Sequence, residues 1–211
     1  MIALGRLLGI LLFGAGVSGT SPERPKRRAT LTGYTTLHDN ALRLTDVRPW
    51  LEEMGVPGAA PLRGGGGGAL LTAGRLTLEG SGCGSGGVHE AEGKAASYGV
   101  GQGALDLGMV LVQKRFLRVY TLAGVGGMGG GVSLRPEGGE GAPTNTGWGS
   151  LLLRGGIGID LVVRIWRVGV MVGLRAGYQS AAFHVQQGEG PELPAPTGWF
   201  FRVVAGPLVS W

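Results

Sequence analysis

The segment from Trp199 to Trp211 (WFFRVVAGPLVSW) alternates in polarity along its whole length. Its odd positions, Trp199, Phe201, Val203, Ala205, Pro207, Val209 and Trp211, are all apolar. Its even positions mix Arg202, Gly206 and Ser210 with Phe200, Val204 and Leu208. A strand sends successive side chains to opposite faces, so one face here is wholly apolar and carries Trp at both ends. At ~3.3 Å per residue and a tilt of about 40°, the segment covers roughly 30 Å, the thickness of a bilayer core. An apolar band with an aromatic at each interface is the pattern of a lipid-facing barrel strand.

The same period recurs upstream. In 166–178 the even positions Trp166, Val168, Val170, Val172, Leu174, Ala176 and Tyr178 oppose Arg167, Gly169, Met171, Gly173, Arg175, Gly177 and Gln179. In 151–163, Leu151, Leu153, Gly155, Ile157, Ile159, Leu161 and Val163 oppose Leu152, Arg154, Gly156, Gly158, Asp160 and Val162. Weaker alternation marks 116–131, 98–112, 74–83 and 63–72, and a polar first candidate covers 29–38. The total is eight strands, an even number, as single-chain barrels of this kind have. Short connections at 72–75, 113–115 and 164–165 alternate with long ones at 39–62, 84–96, 132–148 and 180–197. This spacing predicts an all-β fold over 29–211: an eight-stranded antiparallel up-and-down transmembrane β-barrel with short turns at one rim and long loops at the other. One loop holds a helix signal at 44–55. Thr45 or Asp46 is placed to cap it, Pro49 falls in the first turn, Gly55 stops it, and Val47, Trp50, Leu51 and Met54 share a face.

Composition supports strands over other spans. Glycine supplies 45 of 211 residues without a Gly-X-Y period, and hydrophobic content is 43%, so the chain is neither collagenous nor a plain linker. Charged residues are 16%, below the ~25% usual for soluble domains. After residue 19 no run of ~18 apolar residues could form a transmembrane helix. Residues 1–19 read as an export signal, with Arg6, an apolar run from Leu7 to Val17 and small residues Val17, Ser18 and Gly19 at a cleavage site. Residues 20–28 form a basic tail with Arg24, Lys26, Arg27 and Arg28, which accounts for much of the +5 net charge. Positive charge after the apolar run opposes the usual orientation of a signal, which leaves cleavage and a misassigned start as alternatives. No basic stripe interleaved with aromatics points to nucleic acid. The single Cys83 offers neither an internal disulfide nor metal-ligand spacing, and no cofactor is expected.

The inward face carries the candidate chemistry. Glu79, Asp106 and Asp160 would face Arg118, Arg154, Arg175 and Arg202 in a narrow lumen, where charges must pair or stay hydrated. This predicts a plugged, charge-networked interior, with Gly156, Gly158, Gly169, Gly173, Gly177 and Gly206 leaving room for larger neighbours. Trp166, Tyr178, Trp199 and Trp211 would form the aromatic girdle. The GxGxxG match at Gly124–Gly129 is followed by glycines that cannot open a helix, so it carries no phosphate site. Gly93-Lys94-Ala95 lacks the hydroxyl and the upstream glycine of a P-loop. His38, His89 and His184 fall near the long-loop rim, but no Ser-His-Asp spacing accompanies them, and no enzyme is expected.

The strand count, loop asymmetry and terminal aromatic strand resemble the small eight-stranded outer-membrane barrels of the OmpA/OmpX/OmpW type. Trp211, Val209, Pro207, Ala205 and Val203 resemble the C-terminal signal read by the outer-membrane assembly machinery, with Pro207 departing from the usual pattern. The repeated glycine blocks are similar to those of glycine-rich barrels found in many bacteria. The resemblance implies a monomer in the bacterial outer membrane, with lipid and the assembly machinery as partners and a structural or loop-presenting role. Two alternatives stay open: a soluble calycin-like barrel with the apolar face inside around a small apolar ligand, and a narrow solute channel.

Overall fold

The computed structural model describes residues 29–41, 47–58, 64–91, 93–136, 143–188, 192–193 and 195–211. The signal and basic tail expected at 1–28, and the capping residues Thr45 and Asp46, lie outside the described residues.

Eight antiparallel strands close into one barrel in sequence order: β1 Ala29–Asp39, β2 Gly65–Ala73, β3 Leu76–Ala91, β4 Lys94–Gln113, β5 Leu117–Pro136, β6 Thr144–Ile165, β7 Val168–Gly188 and β8 Gly198–Ser210. Closure is completed by β1 pairing with β8, from Thr30 opposite Ser210 to Asp39 opposite Arg202. No sheet edge is left, so every strand satisfies its backbone groups laterally. A single short helix among the described residues, α1 Arg48–Glu53, stands between β1 and β2.

Alternation is the organising device throughout. On β6, Leu151, Leu153, Ile157, Leu161 and Val163 are exposed while Leu152, Arg154, Asp160 and Val162 are buried. On β7, Val168, Val170, Val172 and Leu174 face out and Met171, Arg175 and Gln179 face in. The outer wall is therefore apolar, while the buried charges stand inside among apolar side chains; a water-soluble barrel puts its charges on the outer face.

Three expectations need correction. The sequence pattern predicts long loops at 84–96, 132–148 and 180–197, yet β3 to β7 run far into them, and only two residues, 92 and 93, separate β3 from β4. The cause is a broken outer period. The outward positions there mix Gly84, Gly86 and Gly147 with Glu90, Ser133, Arg135, Asn145 and Gln187, which interrupts the apolar half of the period, while Ala96, Val132, Leu134 and Trp148 keep the inward half. Trp166, predicted to lie in a strand, stands in the β6–β7 turn with Arg167, at a φ of 62°. The helix start is Val47, which makes no side-chain cap, and Gly55 follows the helix at a φ of 77°, a conformation that suits glycine.

Glycines fall into two groups. Inward ones are sterically required: a methyl at Gly158 would enter the Tyr120 ring, and one at Gly173 would strike Asp160 and Arg175. Outward ones form a continuous field across four strands. Gly84, Gly101, Gly129 and Gly149 are cross-strand neighbours, as are Gly86, Gly99, Gly131 and Gly147 in the next row. Space is open above part of this field: nothing lies within 4 Å of a methyl at Gly149, and Gly101 would meet only the Cys83 carbonyl at 3.9 Å, whereas methyls at Gly86 and Gly129 would press on the Tyr98 and Trp148 carbonyls at 3.0 and 3.1 Å. A shallow concavity floored by Gly99, Gly131, Gly147 and Gly149 results on the outer wall.

Candidate functional site: a two-tier lumen

The lower tier, nearer the short turns, is ionic. Arg175 on β7 bridges two carboxylates, with Nε 2.9 Å from Glu79 Oε2 and Nη1 2.6 Å from Asp160 Oδ1. Asp160 accepts a second cation through Oδ2, 2.6 Å from Arg118 Nη2. Arg118 also donates through Nη1 to the hydroxyls of Thr72 (2.7 Å) and Thr30 (3.3 Å). Glu79 accepts hydroxyls from Tyr34 at 2.6 Å and Tyr120 at 3.3 Å, and the Arg175 guanidinium stacks over both rings. Arg154 pairs with Asp106 and also reaches Ser81. Arg202 pairs with Asp39 at 2.6 Å. All eight charges are at most 8% exposed, four of each sign, so the buried set is neutral.

Pairing of this kind is what burial demands. Each ion gives up several kcal/mol of hydration, and direct counter-ions with hydrogen bonds on the remaining lone pairs offset it. The strands hold these groups in place because inward side chains of neighbouring strands stand opposite one another: Glu79 faces Asp106 across β3–β4, Arg118 faces Asp160 across β5–β6 and Arg175 faces Arg202 across β7–β8. The like-charged neighbours are each resolved by a partner from elsewhere in the barrel.

All seven charges singled out from the sequence lie in this tier or just above it. Asp39 is the residue that sequence reasoning missed. β1 alternates inward at Thr30, Thr32, Tyr34 and Thr36, and the register then shifts between Thr36 and His38. The bulge changes parity, so Asp39 turns inward and His38 turns out to stack on Phe201 at 4.9 Å. No residue-level signal announces that shift; the acid at the strand end next to an inward Arg202 is the nearest to one.

The upper tier is apolar. Val47, Trp50, Leu51 and Val56, from α1 and its flanks, pack with Tyr98, Val100, Met128, Val132, Trp148, Leu152 and Leu193. The segment after the helix is tied to β3 and β4: Lys94 Nζ donates to the Met54 carbonyl at 2.7 Å, and a His89 ring nitrogen lies 2.9 Å from the Pro57 carbonyl. The β7–β8 connection also turns in, with Gln186 accepting the Leu193 N–H and Gln179 donating to the Pro196 carbonyl. Gln179 accepts from Gln102 at 3.2 Å, a polar layer between the tiers.

His89 and His184, expected near strand–loop borders, stand within β3 and β7. His184 Nδ1 lies 2.7 Å from Ser150 Oγ, beside the Trp148 ring, and its Nε2 is buried with no partner among the described residues. Among the described residues no third group hydrogen-bonds to this imidazole, the role that the orienting acid plays in a catalytic triad. Among the described residues no cluster of three or more His, Cys, Asp or Glu could hold a metal. Of the four aromatics singled out, Tyr178 and Trp199 meet edge to face at 5.5 Å on the upper part of β7 and β8. Trp166 and Trp211 stand 84% and 61% exposed at the short-turn rim.

A closed up-and-down barrel of eight strands, with its charges buried inside and an apolar outer wall, defines the class of this molecule. No family profile matches the chain, and no curated protein sequence matches it. In structure it is similar to a major outer membrane protein from Thermus thermophilus, with 9% identity, a TM-score of 0.47 and coverage of 87% of this chain and 99% of that one. It is also similar to Ail, the attachment invasion locus protein of Yersinia pestis, with 11% identity, a TM-score of 0.45 and the same coverage. A third similar structure is the outer membrane protease OmpT from Escherichia coli, with 9% identity, a TM-score of 0.37 and coverage of 91% and 99%.

Proposed function

We propose that this chain is a bacterial outer-membrane barrel that inserts as a monomer, keeps a closed lumen and presents its long-loop end outward in a structural or interactive, non-catalytic role. The observation that carries the reading is the polarity of the wall. Leu105, Leu107, Leu161, Val163, Val168 and Val170 are each more than half exposed, while four arginines and four carboxylates are buried. Lipid is the solvent that favours such a wall. A soluble ligand-binding barrel would need the opposite facing, with the arginines and glycines in water. The two tiers support a closed lumen, since ion pairs fill one level and α1 with Leu193 the other. Strand β8, with Trp199, Phe201 and Val209 on its exposed face, is the segment the assembly machinery would engage.

One observation favours the second reading, a narrow polar pathway. Arg154 Nη1, Arg175 Nη2 and Gln102 Oε1 are buried and find no partner among the described residues. Such atoms attract water.

Cell fractionation followed by gel migration of unboiled and boiled samples tests the main reading. Recovery in the outer-membrane fraction with heat-modifiable migration is expected. Recovery as soluble protein without detergent overturns it. Reconstitution in planar bilayers separates the two readings: steady conductance through the wild-type protein would favour the pathway over the plug.

A further inference from the structure

We infer that the short-turn rim is a binding surface for anionic phospholipid headgroups, an inference that rests on the membrane-barrel reading above. The three short turns carry Arg75, Lys114, Arg115 and Arg167, all exposed, and Arg164 at the end of β6. None of the 14 acidic residues of the chain falls in these turns. The opposite rim has the other sign: Glu52, Glu53, Glu90 and Glu192 are exposed there, against Arg48, Lys94 and Arg135 among the described residues. With the lumen neutral, the barrel is electrically polarised from end to end, and its cationic end meets one leaflet only.

The aromatics at that rim point the same way. Trp166 is the sole non-glycine residue with positive φ among the described residues, at 62°, in a conformation that Gly or Asn adopts more readily. Its ring is 84% exposed, so the protein interior gives it nothing in return. Arg167 lies 5.3 Å from that ring and Arg115 lies 4.9 Å from the ring of Phe116, itself 53% exposed. Each pair sets an apolar plate beside a guanidinium. That combination suits the headgroup level, where the ring rests at the acyl boundary and the cation reaches a phosphate. Arginine also meets phosphate oxygens with a planar fork of donors, which favours a headgroup contact over diffuse attraction. A zwitterionic headgroup cancels most of the attraction that an anionic one retains.

The test uses the full chain refolded into phosphatidylcholine vesicles with and without a minor fraction of phosphatidylglycerol. Gel migration of unboiled samples reports barrel formation in both. Brominated phosphatidylglycerol or brominated phosphatidylcholine, at equal mole fraction, then quenches tryptophan, and the Trp166 share is taken as the difference from Trp166→Leu. The expected result is stronger quenching by the brominated anionic lipid, since each cation near an anionic surface favours it by roughly fivefold. The preference should fall with salt. The quadruple variant R75Q/K114Q/R115Q/R167Q should still give the folded band and lose the preference. Equal quenching by the two lipids in folded wild-type protein overturns the inference while leaving the barrel intact. No folded band in either vesicle overturns the barrel reading and this inference with it.

Discussion

Replacing Arg175 with methionine removes the one cation that joins two buried carboxylates. The consequences for the two differ. Asp160 keeps Arg118, which reaches its Oδ2 through both Nε and Nη2, so it remains paired. Among the described residues Glu79 keeps only the hydroxyls of Tyr34 and Tyr120 and has no cation left, at 1% exposure. Breaking a buried ion pair by deleting one partner costs about 3–5 kcal/mol, most of it from the stranded charge. Two remaining hydrogen bonds to the carboxylate place the expected loss at the lower end, about 3 kcal/mol. Adding E79Q removes the stranded charge at nearly constant volume, so the double variant should recover to within about 1–2 kcal/mol of wild type. E79Q should therefore stabilise the R175M background by about 1–2 kcal/mol, and the coupling is that gain plus the cost of E79Q alone, which the single E79Q variant supplies. Urea unfolding of the protein in lipid vesicles, followed by tryptophan emission and by the gel shift, gives both numbers. If R175M costs under ~1 kcal/mol and shows no coupling to E79Q, Glu79 is solvated by lumen water and the ionic tier is not dry.

The remaining predictions use the same unfolding assay. Gly158→Ala should cost about 1–3 kcal/mol because its methyl meets the Tyr120 ring, whereas Gly101→Ala on the outer wall should be neutral or gain about 0.5–1 kcal/mol. Leu51→Ala, at a fully buried position of α1, should cost about 2–5 kcal/mol, and unchanged stability would show that the helix does not plug the mouth. Leu107→Arg, on the exposed apolar band, should cost about 2–4 kcal/mol in vesicles if it sits near the bilayer midplane. A neutral result there would deny that this wall meets lipid.

The barrel is legible where both halves of the alternation are written in side chains, as in β6, β7 and β8. It is legible in topology too, because three short turns punctuate the chain at regular intervals. Strand length is not. Across 84–91, 132–136, 144–150 and 179–188 the outward positions include Gly84, Gly86, Gly147 and Gly149, and glycine beside Ser, Asn and Gln reads as loop. The inward facing of Glu79, Asp106 and the arginines follows from the two-residue period alone. Which acid meets which base does not, since Arg175 reaches Glu79 across the lumen, and that depends on the stagger of the closed sheet. Asp39 escapes for a related reason: a single extra residue in β1 reverses its facing.

Strands of 20 to 22 residues, β4 to β7, rise about 50 Å along the barrel axis, against a bilayer core of about 30 Å. The upper wall of an inserted barrel would thus stand clear of the lipid as hydrogen-bonded sheet, in place of pliable loops. A protease added to intact cells cuts exposed, extensible chain. Between Ala91, the last residue of β3, and Lys94, the first of β4, the chain offers it only two residues. Above that lipid line much of the palisade bears bare glycine backbone, a smooth surface that gives an antibody or a phage fibre few side chains to grip.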